Sequence, residues 1–225
     1  NAGNSIASGG NYNVAVGDEA GTAITTGDGN VVVGYVAGDA ITTGNNNTAL
    51  GAYALTSEDE ASAITAIGYN AGNSIESGGN YNVAVGDEAG TALTTGDNNT
   101  FVGYAAGDAQ TTASNNVAVG QNALGANTTG TNNVAIGKGA VATCTTAGNH
   151  LVGIGYQALA AAADSQFCVA IGKDAGLSVT SGDGNVLAGY HCGDAITTGG
   201  YNACFGDNAG GAITTASGIL CLGQN

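Results

Sequence analysis

Apolar residues along this chain alternate on a period of two. Each run stops at a glycine, and the phrase returns every seventeen or eighteen residues. The closing glycines are Gly17, Gly34, Gly51, Gly68, Gly86, Gly103, Gly120, Gly137, Gly155, Gly172, Gly189, Gly206 and Gly223. Just before them stand Val16, Val33, Leu50, Ile67, Val85, Val102, Val119, Ile136, Ile154, Ile171, Ala188, Phe205 and Leu222. Three residues before each glycine Val dominates, with Thr48, Thr65 and Thr100 as exceptions. Alternation of this kind ending at glycine predicts one short strand per coil. Both positions lie on one side of that strand, so the bulky column from Val16 to Leu222 is expected to be the core ladder.

The residue between them points to the opposite side. It reads Ala15, Ala49, Ala66, Ala84, Ala118, Ala135 and Ala170, with Val32, Phe101, Gly153, Leu187, Cys204 and Cys221 in the remaining coils. None is charged, whereas a column facing water would carry charge somewhere. The strand is therefore expected to be covered on both faces, with the alanine column packing against another chain. A second, weaker strand is expected around Ile24, Ile41, Ile75, Leu93, Val179, Ile196 and Ile213, interrupted at Glu58, Gln110 and Asn127.

Self-similarity at this period is the mark of a solenoid. A longer repeat lies on top: Asn1 to Gly27 recurs as Asn70 to Gly96, with Glu76 for Ala7 and Leu93 for Ile24. The expectation is an all-β fold, a parallel β-solenoid or β-roll of about thirteen coils. It forms one continuous array over residues 1–225. Asn1 opens in mid-repeat without an initiator Met, which suggests a segment of a longer fibre protein. The turns carry Ala three residues after the closing glycine, often followed by a second glycine suited to positive φ, as at Gly21 and Gly38. The other turn often reads Thr-Thr-Gly. Asn13, Asn30, Asn47, Asn82, Asn99, Asn116, Asn133, Asn185 and Asn202 precede the strand and predict a ladder of stacked amides.

Composition narrows the function. Glycine supplies 41 residues and proline none, and only 8% of residues are charged. So much glycine without proline excludes collagen, and the regular Val and Ile columns exclude disorder. Lys138 and Lys173 are the only basic side chains against seventeen acidic ones, giving a net charge of -15. That balance opposes binding to nucleic acid or to anionic lipid. No apolar run is long enough to insert directly into a membrane.

Catalytic chemistry is not expected, nor is a cofactor. His150 and His191 sit in no nucleophile motif. Cys144, Cys168, Cys192, Cys204 and Cys221 match no zinc spacing and replace small residues in repeat columns, so no metal is expected there. Cys204 and Cys221 share one column in adjacent coils, close enough for a disulfide if the side chains turn toward each other. Asp18, Asp39, Asp87, Asp108, Asp194 and Asp207 border glycine-rich turns, where solvated carboxylates are the simpler reading and calcium the alternative. Asn46, Asn98 and Asn127 open N-glycosylation triplets.

The stretch Thr94-Thr95-Gly96-Asp97-Asn98-Asn99-Thr100-Phe101-Val102-Gly103-Tyr104-Ala105-Ala106-Gly107 resembles the head repeats of trimeric autotransporter adhesins. It is closer still to the seventeen-residue Thr-Gly-x-Asn-Asn-Thr-Ala-Val-Gly repeats of phage tail fibres and bacterial surface fibres, and the likeness runs through the whole chain. The adhesin resemblance implies a left-handed roll, three chains side by side, and attachment to a host surface receptor or glycan. The expected location is extracellular, at a cell surface or on a virion. Two alternatives remain: a single-chain, glycosylated filament serving as a scaffold, and an ice-binding protein that uses stacked Thr.

Overall fold

The computed structural model describes residues 1–6, 9–57, 60–145 and 148–224. It divides into two compact units, Asn1–Ser114 and Asn115–Asn225. Each unit is a parallel β-solenoid, and every regular element among the described residues is a three-residue strand. The first unit holds β1 (Val14–Val16), β2 (Val31–Val33), β3 (Thr48–Leu50), β4 (Thr65–Ile67), β5 (Val83–Val85) and β6 (Thr100–Val102). The second holds β7 (Val117–Val119), β8 (Val134–Ile136), β9 (Val152–Ile154), β10 (Val169–Ile171), β11 (Val186–Ala188), β12 (Ala203–Phe205) and β13 (Leu220–Leu222). Within each unit successive strands pair in parallel with like residues in register, as in Thr48↔Thr65 and Val117↔Val134. The expected coils and the first strand of each are therefore present.

The strands stop at glycine for a steric reason. Gly34 has φ +143, a region closed to residues with a Cβ, and a Cβ there would overlap the carbonyl oxygen of Gly51 in the next coil. Two residues later the chain enters the left-handed region, at Glu19, Val36, Tyr53, Asn70 and Glu88 in the first unit and Asn122, Gln157, Asp174 and His191 in the second. These corners bring the backbone round while its amides keep bonding from coil to coil, as in Val36 N to Asp18 O at 2.9 Å.

The faces are the reverse of the expectation. Ala49, Ala66, Ala84, Ala118, Ala135 and Ala170 are fully or almost fully buried inside their own coils, together with Val32, Phe101 and Leu187. Ala15 is half-buried on the same inward side. The proposed core ladder of Val16, Val33, Leu50, Ile67, Val85, Val102, Val119, Ile136, Ile154, Ile171, Phe205 and Leu222 instead points outward, each residue half-buried or exposed. Coil dimensions explain the reversal. A seventeen-residue coil with tight left-handed corners encloses a narrow lumen. The inward strand position is met by side chains from the opposite turn, so alanine fits in most coils, and the larger Val32, Phe101 and Leu187 are admitted where they lie against turn glycines, Gly21 and Gly38, Gly90 and Gly107, and Gly176 and Gly193.

The second strand does not form. Ile24, Ile41, Ile75, Leu93, Val179 and Ile196 are completely buried, yet each donates its amide back to the glycine three residues earlier, as Ile41 N to Gly38 O at 3.3 Å. That is a turn with one apolar side chain aimed inward, not an alternating ladder. Gln110 and Asn127 are buried in the same column, and Glu58 lies outside the described residues, as do Ala7 and Asp59.

Interior volume is exchanged between two turn positions. Most coils place glycine four residues after the closing glycine and a large aliphatic seven after. A Cβ on Gly38 would lie 2.9 Å from Ile41 Cδ1, and one on Gly72 2.9 Å from Ile75 Cδ1. In the second unit Leu124, Val141 and Leu159 fill the fourth position in left-handed conformation. The seventh position then shrinks to Asn127, Cys144 and Ala162. Each coil admits one large side chain at this turn, from either position.

The asparagine ladder is present but bonds chiefly to backbone. Asn30 donates its backbone N–H to Asn13 Oδ1 at 2.8 Å, and its Nδ2 to the Gly44 carbonyl at 2.8 Å. The same pairing joins Asn47 to Asn30, Asn99 to Asn82, Asn133 to Asn116 and Asn202 to Asn185. A direct amide-to-amide bond is seen at Asn99 Nδ2 to Asn82 Oδ1, 3.1 Å. Each buried amide thus satisfies two backbone groups that the missing second strand leaves without ladder partners. Cys168 stands at this position in its coil and donates Sγ–H to the Gly182 carbonyl at 3.1 Å. A thiol is the weaker partner. Cys168→Asn is therefore expected to raise unit stability by about 1 kcal/mol, read from the denaturant midpoint.

Candidate functional site: the outward face of the strands

In the first unit the outward columns are Val14, Val31, Thr48, Thr65, Val83 and Thr100 beside Val16, Val33, Leu50, Ile67, Val85 and Val102. In the second they run from Val117 to Leu220 and from Val119 to Leu222, with alanine at Ala188 and Ala203. No member is charged. The exposed fraction is 45% at Leu50, 46% at Ile171 and 43% at Phe205. Stacking at the strand spacing makes each unit's columns one flat strip of branched methyl groups. Parallel sheets in α/β proteins are covered on both faces, and monomers seldom leave a contiguous apolar strip open. The alanines are covered by their own coils, so the expectation of a cover from another chain moves to this outward column.

Aromatic side chains border the strip. Tyr35, Tyr53 and Tyr69 pack edge-to-face on one turn of the first unit, with centroids 5.4 and 5.9 Å apart. In the second unit Phe167 stacks on His150 at 5.1 Å. The Thr-Thr-Gly turns spend their first hydroxyl on backbone, as Thr25 Oγ1 to Thr42 O at 3.1 Å, and leave the second threonine, Thr26 or Thr43, exposed. The exposed threonines form one column in place of a broad flat array.

The remaining candidate residues separate. Asn46 and Asn98 are exposed at left-handed corners, while Asn127 is completely buried and exchanges two hydrogen bonds with Gly130. Asn127 is thus not available as a glycan acceptor. Expression in a glycosylating secretory host is expected to modify Asn46 and Asn98 and spare Asn127, as read by peptide mass spectrometry. All five cysteines are free. Cys204 and Cys221 are register partners in β12 and β13 without being bonded. Burial pushes Cys144 up to about 11 and Cys204 up to about 12, so neither supplies a thiolate at neutral pH. Burial also raises Asp39 and Asp108 above the usual carboxylate range, each facing a glutamate, Glu19 or Glu88. Among the described residues no cluster of three His, Cys, Asp or Glu is placed to hold a metal ion, and no helix is long and apolar enough to cross a membrane.

Charge is concentrated in one place that sequence reading passed over. Asp174, His191 and Asp194 meet at a turn of the second unit, with His191 Nε2 3.4 Å from Asp174 Oδ2 and Nδ1 3.1 Å from Asp194 Oδ2. Lys173 joins Asp174 at 3.0 Å. The spacing held the signal: 174 and 191 are seventeen residues apart, one coil, so the period alone makes them neighbours. No protein-family model matches the chain and no curated protein matches it, so the purpose of the outward face rests on its geometry.

Proposed function

We propose that the chain is a structural fibre segment that associates side by side with further copies of itself and serves in surface attachment or as a spacer. The observation that carries this reading is the uncharged outward face of the parallel strands. A second copy suits that face because its coils rise at the same strand spacing. Methyl ridges and grooves then interlock coil after coil, which a partner of another fold cannot repeat. The resemblance to adhesin and tail-fibre repeats favours three chains and a location outside the cell or on a virion. The acidic net charge keeps such an assembly soluble and away from nucleic acid. The narrow coil interior, filled by the chain's own side chains, favours a structural over a catalytic role.

Sedimentation equilibrium tests the association. The expected mass is three times the 21.4 kDa chain. A species of 21.4 kDa at all concentrations would overturn the proposal and leave the single-chain filament, whose outward face then needs a glycan or another cover.

A further inference from the structure

The geometry points to a binding site for a neutral saccharide at the turn carrying Tyr156, Lys173, Asp174, Tyr190, His191 and Asp194. This deepens the attachment half of the proposed function and does not depend on how copies assemble. Both lysines of the chain fall on one column, directly after the closing glycine, and the column reads Lys138, Tyr156, Lys173, Tyr190 in successive coils. Lys173 Nζ lies between two rings, 5.8 Å from the Tyr156 centroid and 5.1 Å from that of Tyr190. The rings stay open, 44% exposed at Tyr156 and 51% at Tyr190. Asp174 is anchored next to Lys173 with its side chain 8% exposed, and its Oδ1 is buried without a hydrogen-bond partner. His191 bridges to Asp194 and meets the Tyr190 ring edge-on, 4.1 Å between centroids.

This combination suits one ligand chemistry. A pyranose offers a C–H face to an aromatic ring and pairs of hydroxyls that both donate and accept. Here the partly exposed Asp194 carboxylate accepts, the Lys173 ammonium donates, and rings stand beside them on a floor fixed by the Asp174-His191-Asp194 bridge that spans two coils. An acidic ligand is disfavoured, because Asp174 and Asp194 offset Lys173 and the chain as a whole is acidic. A cationic ligand finds the space between the rings already filled by Lys173. The rise from one coil to the next is of the order of a pyranose residue, so an oligosaccharide along the column meets Tyr156, Lys173 and Tyr190 with three successive residues.

Saturation-transfer NMR on the full chain, with the methyl glycosides of glucose, galactose, mannose and N-acetylglucosamine at millimolar concentration, tests the site. Transfer to at least one glycoside is expected. It should weaken at least about tenfold in Tyr190→Ala and in Asp194→Asn, and persist in Tyr104→Ala, which removes one of the same column's tyrosines in the first unit. Melting temperatures near that of the parent show that the variants fold. Transfer to none of the four, or transfer indifferent to Tyr190→Ala and Asp194→Asn, overturns the site. Sedimentation of the same samples separates the two readings: an assembled fibre that binds no glycoside removes this site and leaves the assembly standing.

Discussion

Ile136→Glu combined with Ile171→Glu is expected to convert the assembled protein to a 21.4 kDa species without loss of its β circular dichroism signal. Both side chains point outward, 38% and 46% exposed in the single chain, so the coil accepts a carboxylate there at little cost. Between chains the cost is large. Each substitution removes about 1 kcal/mol of apolar burial and places a carboxylate among columns that carry no cation of their own, with Lys138 and Lys173 only at the border and Lys173 already paired with Asp174, which costs several kcal/mol more. Copies in register also bring equivalent glutamates together. Ala135→Glu, one residue from the first substitution, is expected to do the opposite. Ala135 is completely buried, its lumen has no room, and a buried unpaired charge destabilises by more than about 4 kcal/mol, so the second unit unfolds. Dissociation by Ala135→Glu with an intact fold would reverse the two faces; an unchanged mass for the Ile136, Ile171 double variant would remove the interface.

That contrast marks what the sequence shows and what it hides. The period, the register and the glycine that closes each strand are legible. Only glycine adopts φ near that of Gly34, and only a fixed period repeats it. The asparagine column is legible as well, since an amide recurring beside a buried strand must be paired. The sidedness of the strand is not. Alternation says that Ala135 and Ile136 face opposite ways, and the usual preference of larger aliphatics for the interior chooses wrongly. The deciding quantity is lumen width, set by the corners at residues such as Asn122 and Gln157, whose left-handed conformation no local composition announces. The weak strand expected at Ile24 fails for a related reason. One apolar residue per coil reads the same whether it lies on a strand or on a turn that bonds back to Gly21. The Asp174, His191, Asp194 group is legible in the period, because Asp174 and His191 stand one coil apart and positions one coil apart must touch.

The exchange of volume between turn positions carries the last prediction. Leu124→Gly is expected to destabilise the second unit by about 2 to 3 kcal/mol. Loss of a completely buried leucine costs about 2 to 5, and release from the left-handed conformation returns about 1 to 2. Asn127→Ile is expected to cost about 3 kcal/mol, from crowding against Leu124 and from loss of the bond that the Gly130 N–H makes to Asn127 Oδ1 at 2.8 Å. The double variant recreates the pairing of Gly38 with Ile41, in a coil where the equivalent turn glycine, Gly44, is buried beside it. The Gly130 N–H then has the route that Gly27 uses, to a threonine carbonyl in the next coil, Thr42 O at 3.3 Å. The double variant should therefore lie within about 1 kcal/mol of the parent, a coupling of about 4 kcal/mol between positions three residues apart. Denaturant midpoints of the four proteins measure it. Simple additivity, with the double variant the least stable of the four, would show that the two positions do not share one space and that the alternation of glycine with leucine along this column has another cause.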